Sequence, residues 1–410
     1  AGAWCGQNKY LSAIKNAFQN FMPLTIAGAI GVLWCNVLVN ESTGLGIFFK
    51  PIMALEFLNP AFQAVNFCTI SCITVGITLG IAQEIGVWNM GAEKAGYIPG
   101  LVGLAAWLSV TNTSHMVEGA KEAFTGIAGN ELGATGLFTG MIIGVLSVEL
   151  FCFFEKQDAL KIKMPEQVPP GVARAFEVLV PATITLIITA CIGSACYNLT
   201  GLYLNDVIKN GIQGPLGAVG ATIPGVMIIY LVIMLFWLVG IHGNNMLSAV
   251  KEALFTPLAL ENVEKFNKGE KPTNIINMYF LQMCGEFGGS GVTIGLVIAI
   301  MIFGKREDNK AIATLSLVPG LFNINETVTF GIPMVLNPIL GIPFVVAPLV
   351  TIIIGYVLTV IGFCPVACLT VPWTTPPIVF GFLACGANVM GAVTQAILIV
   401  VSTVIYVPFL

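Results

Sequence analysis

Leu321-Phe322-Asn323-Ile324-Asn325-Glu326-Thr327 sets one carboxylate into an otherwise apolar run. Residues 311–324 carry no charged side chain, and from Thr327 to Leu410 there is no Asp, Glu, Lys, Arg or His. A carboxylate in hydrocarbon costs about 2.5–3.5 kcal/mol on insertion scales unless water, a partner or a ligand meets it. Acids so placed face cavities or transport paths, so Glu326 is the first candidate for a functional centre. The competing reading is a protonated acid packed in a core.

The chain around that run has the composition of a polytopic membrane protein. It is 56% hydrophobic and 9% charged over 410 residues, with mean hydropathy +0.90. Soluble domains are about 25% charged, so this chain cannot build a water-facing surface all round. Stretches able to span the hydrocarbon are 21–39, 61–82, 98–113, 132–154, 176–203, 217–241, 274–304, 328–363 and 378–409. Counting the short piece 311–324, or splitting 328–363, gives about ten passes. Alternating barrel strands are absent, so the class is all-α. Forty-five glycines and 22 prolines argue for close-packed, often broken helices.

A net charge of −4 without a long basic run implies no nucleic-acid partner. Eleven cysteines lie mostly in apolar segments, where thiols behave as small hydrophobes. Cys364 and Cys368 are four apart with no His or acid nearby, so neither a metal nor a cofactor is expected. No phosphate-cradling Gly-rich loop ending in Lys-Ser/Thr occurs, which excludes ATP hydrolysis by this chain. The chain starts at Ala1 rather than Met, so residues 1–7 need not be the native beginning.

Residues 8–21 put Leu11, Ile14, Phe18 and Phe21 on one helical face. This reads as an amphipathic helix on the membrane surface or as the start of the first span. The largest polar interruption, Glu155–Arg174, holds four basic residues and three prolines. The positive-inside tendency makes it cytoplasmic, and it divides the chain into portions 1–165 and 166–410. Basic residues flank 274–304 equally, so charge cannot orient that segment. Its run Gly285-Glu286-Phe287-Gly288-Gly289-Ser290-Gly291 suits a chain reversal at membrane depth, tolerated only where protein covers it or water reaches it. A long tilted helix is the alternative. The fourteen residues 311–324 reach about 21 Å as helix, short of a roughly 30 Å core. They read as a second broken element, ending at the Asn323–Glu326 run.

Of two histidines, His242 lies in Gly240-Ile241-His242-Gly243-Asn244-Asn245 at the end of an apolar segment. The flanking glycines permit unusual backbone angles. His115, in a polar stretch, reads as solvated. Asn323, Asn325 and Asn244 offer amides for hydroxyl groups. Trp373 and Trp237 offer ring faces that suit a pyranose, or anchor the membrane interface. Gln213, Gln282 and Glu286 are further polar residues near breaks. One carboxylate, one imidazole, amides and tryptophans without a conspicuous Arg suit an uncharged polar ligand, and sugar is the natural candidate.

Several motifs in order then become specific: Gly240-Ile241-His242-Gly243, Asn323-Ile324-Asn325-Glu326, Phe330-Gly331-Ile332-Pro333, Asn337-Pro338, Ile342-Pro343-Phe344 and Pro372-Trp373-Thr374-Thr375-Pro376-Pro377. With these, the chain resembles the enzyme IIC membrane subunits of phosphoenolpyruvate-dependent sugar phosphotransferase systems, in the lactose/cellobiose/diacetylchitobiose family. It departs at Thr327, where many relatives have proline. The resemblance implies about ten transmembrane helices, two re-entrant hairpins and a homodimer formed by the first half, in a bacterial cytoplasmic membrane. It implies that the second half holds the sugar, read here as a β-linked disaccharide. The Glu155–Arg174 divide, with two broken elements in the second half, suggests that this half moves as a rigid body against the first. Glu326 and His242 would then contact the C6 hydroxyl, and a phosphocysteine on a separate IIB protein would be the phosphoryl donor. A proton-coupled sugar symporter is the main rival expectation, and a membrane-embedded enzyme or receptor that moves nothing is another.

Overall fold

The computed structural model describes residues 8–41, 46, 49–115, 124–165, 167–332, 334 and 337–410. The proposed non-native beginning at 1–7 and Pro333 of the Phe330–Pro333 motif lie outside these. Helices dominate, as expected. Among the described residues the strands are Ser114–His115 and Phe124–Thr125, paired antiparallel. Five helices among the described residues are long and apolar enough to cross a membrane, and up to seven if each of two bent pairs is one span. That is fewer than the sequence stretches suggest, because apolar runs such as 274–304 are interrupted by non-helical backbone. The chain is a multi-pass membrane protein, and it folds as two compact units. One gathers the segment up to Leu24 with Cys68–Leu216, and the other gathers Thr25–Phe67 with Gly217–Leu410.

The residues read as a surface amphipathic helix are the start of a longer helix, α1 (Lys9–Leu33). In the Cys68–Leu216 unit its Lys9 Nζ meets Glu149 Oε1 at 2.5 Å and donates to Asn89 Oδ1 at 3.1 Å. The unit is built on α2 (Ile73–Met90), α3 (Ile98–Val110) and α4 (Ala134–Glu155). Small residues let these backbones approach: a Cβ on Gly103 would lie 2.3 Å from the Ala82 Cβ. In a membrane such packing replaces the hydrophobic drive available in water. Trp107, Ala106, Val110 and Ile143 form the buried centre, with Leu186 of α5 (Pro170–Thr200) packed against it. The two ends of the polar Glu155–Arg174 interruption are tied to each other and to charges on either side of it. The buried Glu155 carboxylate meets Lys94 at 2.8 Å and Arg174 at 3.0 Å, and Arg174 also pairs with Glu177 at 2.7 Å.

The Gly217–Leu410 unit contains α6 (Ile223–Leu238), α7 (Gly243–Asn267), α8 (Met278–Gly285), α9 (Ile294–Phe303) and α10 (Glu307–Leu321). It continues with α11 (Glu326–Gly331), α12 (Gly341–Val360), α13 (Val379–Ala384) and α14 (Val389–Tyr406). The glycine-rich run does break the chain, between α8 and α9, with a bend of 57°. Gly288, Gly289 and Gly291 have φ of +71°, +91° and +78°, a region open to glycine at little cost. A second break separates α10 from α11, where Asn323 takes φ +62°.

The first break and the non-helical run 367–371 are buried, so their backbone groups need partners. Side-chain amides supply many of them. Asn262, fully buried, donates to the Asn274 and Ala367 carbonyls at 2.8 and 3.1 Å. Its Oδ1 accepts from the Thr273 and Asn274 N–H groups at 3.2 and 3.0 Å. Gln395 likewise accepts from Ile378 and Gly381 N–H at 2.8 and 2.7 Å and donates to Met283 O at 3.1 Å. An Asn262→Leu substitution preserves the volume and leaves the Thr273 and Asn274 N–H groups without their acceptor, each worth about 1–3 kcal/mol when buried. The Asn274 and Ala367 carbonyls keep Asn277 Nδ2. Purified Asn262→Leu protein should therefore lose about 2 kcal/mol in chemical unfolding, followed by helical circular dichroism. A wild-type midpoint would remove the amide from this structural role.

Candidate functional site

The α6–α7 junction presents His242. Gly240 turns the chain with φ +80°, and Gly243 lets α7 start against α6, since a Cβ there would lie 2.0 Å from the Ile233 carbonyl oxygen. His242 caps α7: its Nδ1 accepts the Asn245 N–H at 3.2 Å. That bond assigns the proton of the neutral ring to Nε2. Nε2 faces Glu326 Oε1 at 3.9 Å. The pair is too far apart for a hydrogen bond, and both side chains are open, 35% and 49% exposed. An oxygen about 2.8 Å from each atom fits that spacing. Behind the imidazole stands Trp237, buried, its ring centroid 4.4 Å from that of His242. Phe330 and Phe344 close the other sides of the indole at 6.3 and 6.4 Å.

Glu326 begins α11, directly after a stitched segment. Asn323 Nδ2 donates to the carbonyls of Trp373 and Thr375, and its Oδ1 accepts the Gly288 N–H at 2.6 Å. Asn325 Nδ2 donates to Ser290 O at 2.9 Å. The two amides read as hydroxyl binders are thus engaged with backbone, and they join the 286–293, 321–326 and 372–377 stretches. Trp373 is itself exposed. Gln282, on α8, has a buried Oε1 with no partner among the described residues. Gln213 belongs to the other unit, where its amide donates to Ala134 O at 3.5 Å.

Asn244 is held from two sides. Its Nδ2 donates to Ser290 Oγ at 2.9 Å and its Oδ1 accepts from Lys251 Nζ at 3.0 Å. Lys251, buried, is ion-paired with Glu286, whose Oε1 also accepts from Tyr230 OH at 2.8 Å. Sequence reasoning missed Lys251, Tyr230 and Ser290, and a cation does stand near the candidate set. Lys251 follows Asn244 by seven residues, two helical turns on one face. That spacing was available as a signal once 243–267 is read as one helix.

The matching family model is "Phosphotransferase system, EIIC", over residues 15–348. The chain belongs to that family. Among its EIIC relatives, the oligo-beta-mannoside-specific EIIC component of Bacillus subtilis (strain 168) is 34% identical over 98% of this chain and 89% of its own length. The cellobiose-specific EIIC component of Lactococcus lactis subsp. lactis (strain IL1403) is 30% identical over 98% of this chain and 94% of its own. Among solved structures, the transporter ChbC, the IIC component from the N,N'-diacetylchitobiose-specific phosphotransferase system, superposes with TM-score 0.90 at 30% identity. The match covers 99% of this chain and 94% of that one.

If Asn323 is a stitch, its loss should register as stability. Asn323→Gly keeps the left-handed backbone easy while deleting the side-chain bonds, and should cost about 1–3 kcal/mol. Asn323→Ala should cost about 1 kcal/mol more, the left-handed penalty of a Cβ. Equal midpoints for both variants and wild type in thermal unfolding would rule this out.

Proposed function

We propose that this chain is the sugar permease of a phosphoenolpyruvate-dependent phosphotransferase system in a bacterial cytoplasmic membrane, carrying a β-linked disaccharide such as diacetylchitobiose or cellobiose. The observation that carries the reading is the open His242–Glu326 pair at 3.9 Å. A hydroxyl seated between them accepts a hydrogen bond from His242 Nε2–H and donates its own to Glu326 Oε1. That polarity is the one a nucleophilic alcohol needs, with the carboxylate oriented to take the proton as the oxygen attacks. The names of the relatives, cellobiose, oligo-β-mannoside and diacetylchitobiose, support a β-linked ligand.

The C6 hydroxyl of the sugar attacks the phosphorus of a phosphocysteine on a separate cytoplasmic IIB protein. The O–P bond forms, the S–P bond breaks, the cysteine leaves as thiolate, and the hydroxyl proton passes to Glu326. Such a loose transition state needs alignment more than covalent help from the permease. Trp373, exposed beside the stitched segment, is the ring placed to meet a sugar face, whereas Trp237 backs the imidazole. Gln282, whose amide oxygen has no partner among the described residues, is a further candidate contact. Gln213 lies in the other unit, and Asn244, Asn323 and Asn325 serve the site by holding its framework.

The larger architecture follows the same reading: about ten transmembrane helices with two re-entrant hairpins, and a homodimer formed through the portion 1–165. Within the portion 166–410, Gly217–Leu410 carries the sugar as a rigid body.

Glu326→Gln keeps size and removes the base. The variant should bind cellobiose or diacetylchitobiose within about threefold of wild type, while phosphorylation by phospho-IIB falls at least about a hundredfold, the scale of a lost general base. Wild-type phosphorylation would remove Glu326 from the chemistry. Accumulation of free sugar in vesicles driven by a proton gradient alone would replace the reading with a symporter.

A further inference from the structure

His242 and Glu326 sit on different elements, at the starts of α7 and α11, yet both are referenced to one residue. Ser290, buried in the glycine-rich break, receives two amides. Its Oγ accepts from Asn244 Nδ2 at 2.9 Å, two residues beyond His242. Its carbonyl oxygen accepts from Asn325 Nδ2 at 2.9 Å, one residue before Glu326. The orientation of the Asn244 amide is fixed in turn by Lys251, which donates to its Oδ1 at 3.0 Å and so leaves Nδ2 aimed at Ser290. Lys251 is fixed by its ion pair with Glu286, and Glu286 by the Tyr230 hydroxyl at 2.8 Å. Every link is buried or half-buried, where a charge-assisted bond holds geometry better than in water.

We propose that Ser290, with the Lys251–Glu286 pair that orients Asn244 towards it, is the positioning centre that sets the spacing between His242 and Glu326. This rests on the reading that those two side chains handle the reacting hydroxyl. The spacing decides whether one hydroxyl engages both groups. At 3.9 Å it does, whereas beyond about 5.6 Å, twice a hydrogen bond of about 2.8 Å, the oxygen reaches only one of them. A shift of about 1 Å already turns the two bonds away from their present directions. A misplacement of that size away from the chemistry lowers rates by up to about a hundredfold. Ser290 serves because a side-chain acceptor and a main-chain acceptor on one residue leave in different directions. The neighbouring glycines give its backbone the freedom to present both: a Cβ on Gly289 would lie 2.7 Å from Asn325 Cβ, at φ +91°.

The test separates positioning from folding and from binding. Ser290→Ala removes only the Oγ link, and Lys251→Met combined with Glu286→Gln removes the pair without leaving a lone buried charge. In membranes with phospho-IIB and cellobiose, both variants should show turnover at saturating sugar lowered about tenfold. Sugar affinity by titration calorimetry should stay within threefold, and both proteins should remain folded at the assay temperature by circular dichroism. Ser290→Thr, which keeps the hydroxyl, should recover most of the turnover. Wild-type turnover in both variants overturns the proposal, as does a loss confined to sugar affinity or to protein yield. If Glu326→Gln also phosphorylates normally, the functional reading itself has failed. If Glu326→Gln is inactive while these variants are normal, only the positioning role has failed.

Discussion

Peptide groups that leave the helix inside an apolar interior must find partners other than water, and the Gly217–Leu410 unit is organised around that requirement. An unmatched buried N–H or C=O costs on the order of 1–3 kcal/mol, and this unit leaves the α-helix at 286–293, 322–325 and 361–378. Asn262, Asn277, Asn323, Asn325 and Gln395 each lend an amide to backbone. Tyr406 adds its hydroxyl, donating to Gly291 O at 2.7 Å, and Thr293 donates to Gly288 O at 2.6 Å. An amide suits this work because it donates and accepts at once, as a peptide does. The broken segments therefore have fixed partners, and the side chains they carry are aimed.

That constraint decides which polar groups remain for a ligand. Asn323 has both its oxygen and its nitrogen engaged, so it shapes the site without offering a free hand to it. His242 spends Nδ1 on its own helix and keeps Nε2. Glu326 has its carboxylate half open opposite that nitrogen. On the proposed reading, the chemistry falls to these two groups, which the backbone repair leaves open.

The sequence made the class legible through the apolar spans and the scarcity of charge, and it located both breaks. The glycines of 285–291 and the short run before Asn323 each carry a local cause, backbone freedom in one and insufficient length in the other. The roles of the asparagines were not legible, because their partners are remote in the chain: Asn323 reaches Gly288 and Thr375, and Asn262 reaches Ala367. A side-chain amide looks the same in sequence whether it faces a ligand or a distant carbonyl. Lys251 was hidden for a related reason. Helix α7 mixes buried polar with buried apolar positions, so no clean apolar face announces itself. The start of α1 was ambiguous because an amphipathic stretch runs directly into an apolar one, and a surface helix and a continuous helix then look alike.

The charges near the site follow a division of labour that suits a ligand changing its own charge. Lys251 and Glu286 neutralise one another in a buried pair, which fixes geometry while presenting little net field. Glu326 lacks a cationic partner among the described ion pairs, its neighbour being a histidine at 3.9 Å. On the proposed reading, a neutral sugar enters and needs only hydrogen bonds, which the carboxylate and imidazole supply. Transfer then places a dianionic phosphate beside Glu326, which repels it once the proton it has taken is released. A free lysine there would hold the product, because ammonium binds phosphate as a point charge. With Lys251 committed to Glu286 and Asn244, the local balance opposes the product more than the substrate. The arrangement that positions the hydroxyl thereby also favours departure once it has been phosphorylated.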